Sequence, residues 1–365
     1  MFLIVTRNFP PDIGGMQVLM GGLTENLLNH GPVKVFTYKY KNSDIYDKKS
    51  TANIERIKGI KLFRKYRKAN LVNNFIKANT NIRALITDHW KSLELISKEN
   101  LEKTKIFCLI HSKEINHKIG SSINKRIIKS TNNANFIIAN SNFTKELAIK
   151  VGIDISKIHI IFPGIQKPKK IENISKINAE KNFGDSFPKI ITVARLDKRK
   201  GHDKILMLIK NLKPKFPKIK YISIGFGKEE NNLLKLVREL NIENEVIFLK
   251  NIDYNFKIAL IAEANLFLMP SRIEKKSVEG FGISFIEAAS YGVASIGGKD
   301  GGSSDAIMHK ETGLICDGND LSSIYDSVVS FFENENFIKY GKKAKEFSEK
   351  FYWDKVVKNY LKLIN

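Results

Sequence analysis

The chain has 365 residues, 42% of them apolar, with 61 Lys and Arg against 38 Asp and Glu for a formal net charge of +23. That length carries two domains of ordinary size, and the apolar share suits packed cores rather than disorder. No apolar run approaches the roughly 20 residues of a membrane-spanning helix, and the two cysteines, Cys108 and Cys316, have no metal-site or redox spacing. A reduced, cytoplasmic protein is the expectation. The charge leaves two readings open: Lys-rich solvated faces, or attraction to an anionic partner such as a membrane surface, a phosphorylated small molecule or nucleic acid.

Residues 2–6 read as a buried parallel strand, with a turn through Pro10 and Pro11 and then Gly14-Gly15 before a helix from about Gln17 to His30. Strand, glycine loop and helix open a parallel α/β domain, and the glycines allow backbone N–H groups near a helix start to approach a phosphate. Val33–Phe36 is a second strand. Residues 53–79 are strongly basic, and the stretch 56–68 interleaves Arg56, Lys58, Lys61, Arg64, Lys65, Arg67 and Lys68 with Ile57, Ile60, Leu62 and Phe63. That pattern fits either a solvated surface helix or peripheral contact with the anionic inner face of a membrane.

Residues 84–87 and 105–110 are further strands, and the second delivers His111 to a strand's carboxyl end, where open α/β sheets bind ligands. Strands at 135–141 and 158–161 flank a helix at 142–151. Pro163-Gly164 breaks the pattern, and the Lys-rich stretch 166–187 reads as an inter-domain linker.

A second α/β domain then starts. Strand 189–194 leads into a loop carrying Arg195 and Lys200, two cations that can converge on a diphosphate. Strands at 221–224, 246–249, 266–269, 294–297 and 315–316 alternate with helices. Between the third and fourth of these strands lies Glu279-Gly280-Phe281-Gly282-Ile283-Ser284-Phe285-Ile286-Glu287. It opens on a carboxylate, passes two glycines, and ends on a second carboxylate in a short apolar helix. Glu287 can hold the vicinal hydroxyls of a ribose, Glu279 can accept from sugar hydroxyls, and the helix after Gly282 and Ile283 offers N–H groups and a positive dipole end. Helices at 321–334 and 336–349 and a terminal one at 352–363 complete the chain. The fold class is α/β, two doubly wound halves facing a cleft lined by strand carboxyl ends.

Together these motifs resemble the retaining glycosyltransferases of the two-Rossmann-domain (GT-B) type, family 4. The resemblance rests on Glu279 and Glu287 in EGFGISFIE, Arg195 and Lys200 in ARLDKRKGHD, Gly14-Gly15 in PPDIGGM, His111 in CLIHSKE, Ser141, Pro270-Ser271, and Gly301-Gly302 with Asp305. It departs at Pro163-Gly164-Ile165-Gln166, where the family has Asn-Gly-Val-Asp, and at Lys228.

The resemblance implies an acceptor-side domain over 1–167, joined by the terminal helix 351–365, and a nucleotide-sugar domain over 168–350. It implies transfer from a UDP-, GDP- or ADP-sugar to a polysaccharide, lipopolysaccharide or glycolipid acceptor. Arg195 and Lys200 then stabilise the leaving diphosphate, Glu287 binds the ribose, Glu279 and His111 contact the transferred sugar, and Gly14-Gly15 lie against the diphosphate. No Asp-x-Asp occurs, so metal-independent catalysis without a cofactor is expected. Open alternatives are a nucleotide-sugar epimerase on the same fold and a basic nucleic-acid-binding protein. The second has only charge in its favour, and no nucleic acid is expected.

Overall fold

The computed structural model describes residues 1–102 and 104–365. The chain divides into two compact units, Met1–Gln166 with Phe351–Asn365, and Lys167–Lys350.

In the first unit seven parallel strands are ordered β3-β2-β1-β4-β5-β6-β7, with β1 Phe2–Val5, β2 Val33–Tyr38, β3 Asn53–Ile57, β4 Ala84–Thr87, β5 Lys105–Ile110, β6 Phe136–Ala139 and β7 Ile158–Ile160. Phe2 aligns with Val33 on one side and Ala84 on the other. Both faces are covered, so the strands alternate between two cores rather than between core and water. Leu3, Val5, Ile106, Cys108 and Ile110 enter one core with Trp90. Phe2, Ile4, Phe107 and Leu109 enter the other.

The helix Trp353–Ile364 belongs to this second core through Trp353, Val356, Val357 and Tyr360. Trp353 leaves no room for side chains opposite it: a Cβ on Gly22 or Gly164 would fall 2.3 or 2.4 Å from the indole.

The second unit has six parallel strands ordered β10-β9-β8-β11-β12-β13, with β8 Lys189–Val193, β9 Lys220–Ile224, β10 Val246–Leu249, β11 Leu266–Met269, β12 Ser295–Gly298 and β13 Gly313–Cys316. Its core gathers Ile190, Leu266, Leu268 and Ile296 with Ile205, Leu208 and Phe331. In both sheets the order reverses beside the first strand, between β1 and β4 and between β8 and β11. Connections leave opposite faces there, and a crevice opens at the strand carboxyl ends.

Three sequence expectations change. The stretch 166–187 is not a plain linker: it contains a helix, Asn173–Phe183, whose Ser175, Ala179 and Phe183 are buried. Asn53–Ile57 is an edge strand rather than part of a basic helix, and the helix begins only at Arg64. The first helix starts at Gly15, not Gln17, and ends at Leu27, followed by a 3-10 turn Leu28–His30. Among the described residues no helix is long and apolar enough to cross a membrane.

Candidate active site

At the reversal of the second sheet, β8 and β11 are neighbours, and the loops leaving them carry the charged residues of the site. The loop after β8 runs through Arg195 to a 3-10 turn, Lys198–Lys200, closed by Gly201 at φ 78°. A side chain at Gly201 would also strike the Pro270 carbonyl oxygen at 2.5 Å, so the two loops pack backbone to backbone.

Glu279, in the loop after β11, is buried, 8% exposed. Lys200 Nζ donates to its Oε2, and Arg199 Nη1 donates to the same oxygen at 2.9 Å. Burial alone would raise the Glu279 carboxyl. The adjoining Lys200 and Arg199 outweigh it and hold the group at about 2. Burial lowers the Lys200 pKa, against the pull of Glu279. The Glu279 carbonyl accepts from Gly302 N–H at 2.9 Å, which ties it to the glycine loop after β12.

Arg195 is different in kind. Its side chain is 62% exposed, and it pairs with Asp197 at 3.3 Å. Its loop is clamped from below by His202, whose Nε2 lies 3.3 Å from the Arg195 carbonyl oxygen. His202 Nδ1 lies 3.1 Å from the Tyr221 hydroxyl. Burial keeps this imidazole neutral, at about 4.

The helix Ile283–Ser290 starts from Gly282 at φ 91°, with no side-chain cap and no acidic residue in its first turn. Its first N–H groups are therefore open to an anion. Glu287 sits four residues on and accepts from Lys257 Nζ at 2.5 Å, both side chains 21% exposed. Lys257 comes from the helix Tyr254–Glu263 and lies over the Tyr254 ring at 4.8 Å.

In the first unit, the helix Gly15–Leu27 likewise starts from a glycine, Gly14, without a side-chain cap or an early acid. His111 follows β5 and caps the turn Ser112–Ile115, where the Glu114 carboxyl oxygen Oε1 accepts from the His111 N–H. Burial lowers the His111 pKa to about 4, against the pull of Asp88, and its Nε2 is buried with no partner. Burial pushes the Glu114 carboxyl up to about 8.

At the β1–β4 reversal Asp88 accepts from Arg7 N–H at 2.9 Å and from Ser92 Oγ at 2.7 Å. Lys68 Nζ donates to the Thr6 carbonyl at 3.0 Å, and burial depresses its pKa to about 8 despite Asp88.

The structure therefore brings Lys200 and Glu279 into contact and leaves Arg195 beside them, exposed. Gly282, Ile283 and Glu287 share one short helix of the same unit. His111, Gly14 and Gly15 lie in the other unit. Sequence reading missed Arg199, Lys257, Lys68 and Asp88. Lys68 carried a signal: it stands four residues before Val72 and eight before Ile76, the buried stripe of the helix Arg64–Ala78. Arg199 and Lys257 carried none.

Comparison with known proteins agrees with this architecture. The model of glycosyl transferases group 1 matches residues 173–351, and that of Glycosyltransferase Family 4 matches residues 13–167. A GDP-mannose-dependent alpha-(1-6)-phosphatidylinositol monomannoside mannosyltransferase of Mycobacterium tuberculosis is 23% identical over 90% of this chain and 88% of its own. The N-acetyl-alpha-D-glucosaminyl L-malate synthase of Bacillus anthracis is 34% identical over 39% of this chain and 36% of its own. Among solved structures, Anabaena HepE in complex with UDP aligns over 100% of this chain and 99% of its own at a TM-score of 0.82 and 15% identity. Sucrose-phosphate synthase of Thermosynechococcus elongatus aligns over 100% and 98% at 0.79 and 18%. These likenesses show the two-Rossmann-domain (GT-B) fold. With the two family models matching successive halves of the chain, the protein belongs to family 4 of the glycosyltransferases.

Proposed function

We propose that the protein is a retaining, metal-independent hexosyltransferase that moves a sugar from a nucleoside-diphosphate sugar to a glycan or lipid-linked acceptor. The observation that carries this reading is the buried, ionised Glu279 held by Lys200 and Arg199 at the sheet reversal, with the exposed Arg195 on the same loop. Breaking the bond between sugar and diphosphate builds negative charge on the leaving phosphate. Two preorganised cations and the open N–H groups after Gly282 are the groups that stabilise it.

In this reading Arg195 and Lys200 take the diphosphate, and Gly282 and Ile283 donate from the helix start. Glu287 takes the ribose diol, and Glu279 accepts from the sugar. Gly14 and Gly15 approach the diphosphate, and His111, neutral and with Nε2 unpartnered, donates or accepts at the sugar. The acceptor enters on the face the diphosphate leaves, and a phosphate oxygen takes its proton, so no protein nucleophile is required. The two cations do the work of a metal clamp.

The donor is assigned among UDP-, GDP- and ADP-sugars. GDP-mannose is the donor named for the mycobacterial relative, and UDP is bound in HepE. A surface polysaccharide, lipopolysaccharide or glycolipid is the acceptor class, met at the inner face of an anionic membrane through part of 56–68. Support for the membrane contact is the exposed turn of Ile60, Leu62 and Phe63 with Tyr66 on the first turn of the following helix, 72%, 71%, 56% and 54% exposed, among Lys58, Lys61 and Lys65. Arg56 and Lys68 lie outside that surface, since Arg56 is buried on Asp47 and Lys68 on Thr6.

A thermal-shift screen with UDP-glucose, UDP-N-acetylglucosamine, GDP-mannose and ADP-glucose tests the assignment. A true donor at a hundredfold excess over its Kd stabilises the fold by about 2.7 kcal/mol. The shift is expected to persist in EDTA and to vanish in Lys200→Ala. A protein that none of the four stabilises, or whose response needs a divalent metal, would not be the enzyme described.

A further inference from the structure

We infer that Arg199 is a positioning residue of the reaction: it holds the Glu279 carboxylate when the donor diphosphate draws Lys200 away. The inference rests on the donor assignment above. Both cations bind one oxygen, Glu279 Oε2, and Oε1 has no hydrogen-bond partner among the described residues. Lys200 is thus committed to Glu279 and is also the cation assigned to the diphosphate. An ammonium turned toward that multiply charged group weakens its hold on the carboxylate.

Glu279 is then left in surroundings that do not tolerate a bare charge: it is itself buried, Val278 and Phe281 beside it in the chain are buried, and Met269 Sδ lies 3.4 Å from the Lys200 Nζ that pairs with it. Arg199 remains. Its side chain is 13% exposed, and its carbonyl accepts from Arg272 N–H at 2.9 Å. The Arg272 side chain is anchored in turn on Asp203 at 2.8 Å. A guanidinium whose backbone is fixed and whose Nη1 already donates to Oε2 keeps the carboxylate ionised and leaves Oε1 for a sugar hydroxyl. Nothing in the run Lys198-Arg199-Lys200 distinguished this residue from surface charge. The tertiary structure separates them: Lys198 is exposed, Arg199 faces Glu279, and Lys200 is buried.

The charged groups facing Glu279 are Lys200 and Arg199, and they give the largest opposing pull on its carboxyl. Removing one leaves burial less opposed, so the carboxyl pKa rises. The acid limb of any rate that needs the carboxylate then moves to higher pH.

The test uses the full chain and the nucleotide sugar that stabilises it most in the screen. Hydrolysis of that donor is followed as release of the nucleoside diphosphate from about pH 4 to about pH 8, and binding of the nucleoside diphosphate is measured by calorimetry. Arg199→Met is expected to bind the nucleoside diphosphate within about twofold of wild type. Its kcat should fall about tenfold to a hundredfold, the loss of one charged hydrogen bond, with the acid limb displaced upward. Arg199→Lys should recover most of the rate and return the limb toward its wild-type position.

If Arg199→Met loses nucleoside-diphosphate binding as Lys200→Ala does, Arg199 is a phosphate ligand and the inference is wrong. It also falls if kcat or the acid limb does not change. Should the methionine variant fail to fold, Arg199→Gln, which keeps an N–H donor without the charge, carries the same pH comparison. A wild-type protein that neither binds nor hydrolyses any nucleotide sugar overturns the donor assignment and this inference together. An active wild type matched by an indistinguishable variant overturns this inference alone.

Discussion

Glu279 and Glu287 are eight positions apart and chemically identical, yet they end in different states. Glu279 is buried under two cations and held at about 2, whereas Glu287 meets one lysine at a partly open surface. Environment rather than residue type decides what each can do. The same holds for histidine. Burial depresses His202 to about 4, His111 to about 4 and His89 to about 3. Each folded pKa lies below the unfolded value near 6.5, so the stability each provides is complete above that value and is lost as pH falls through the folded pKa. Glu114 acts oppositely: burial raises it to about 8, so its contribution is complete below its unfolded value of 4.5 and is lost as pH rises through 8. Stability should therefore fall between about pH 6.5 and pH 4, the histidines outweighing Glu114. His202→Gln should remove on the order of 3 kcal/mol of that fall. Urea melts of wild type and variant across this range check it, and equal slopes would show that His202 is not buried neutral.

The helix Ile283–Ser290 shows how an element is fixed by its first residue. Gly282 turns the chain at φ 91° and ψ 63°, which lets the helix leave the loop with its first N–H groups uncapped. A Cβ there would fall 2.4 Å from the Phe285 ring, and Phe285 is 1% exposed and packed edge-on to Phe267. The ring has nowhere to go. Gly282→Ala is expected to cost about 2–3 kcal/mol, from the strained backbone and the displaced ring together. It should also raise the KM for donor more than it lowers kcat. Denaturant melts and donor kinetics read the two effects separately, and an alanine variant with wild-type KM would remove the helix start from the site. The helix Asn173–Phe183 makes a different point. Its sequence is polar enough to read as linker, and it becomes a helix because Ala179 and Phe183 find cover against the helix Tyr254–Glu263. Packing partners, not propensity, stabilise so short an element.

At the scale of the molecule the excess of +23 does not act as one uniform surface charge. Several of the cations that looked like surface charge are structural: Arg56 on Asp47, Lys68 beneath Thr6, Arg199 and Lys200 on Glu279. What remains exposed around the apolar turn Ile60–Phe63 is a compact basic collar. Flotation with vesicles should show binding to phosphatidylglycerol-containing bilayers and little to pure phosphatidylcholine, weakening as salt is raised. Replacing Phe63 with Asp, or Lys61 and Lys65 with Glu, should lower partitioning by about tenfold or more, at about 1 kcal/mol per basic residue near the surface. Equal flotation of wild type and variants would detach this surface from the membrane.

The parallel strands, the glycine-led helices and the charged loops at strand ends were legible in the sequence. Each depends on a few neighbouring residues: short apolar runs for strands, glycine for a helix start, and the spacing of Arg195, Lys200, Glu279 and Glu287. The resemblance to family 4 came from the same local spacings. Which cation meets which carboxylate was not legible. Arg199 and Lys200 reach Glu279 across 80 and 79 residues, and Lys257 reaches Glu287 across 30. The Glu279 pairings exist because β8 and β11 are neighbours in the sheet, although β9 and β10 lie between them in the chain, and the Glu287 pairing joins the helices on either side of β11. A strand order of that kind is set by the packing of whole layers, and no local pattern records it.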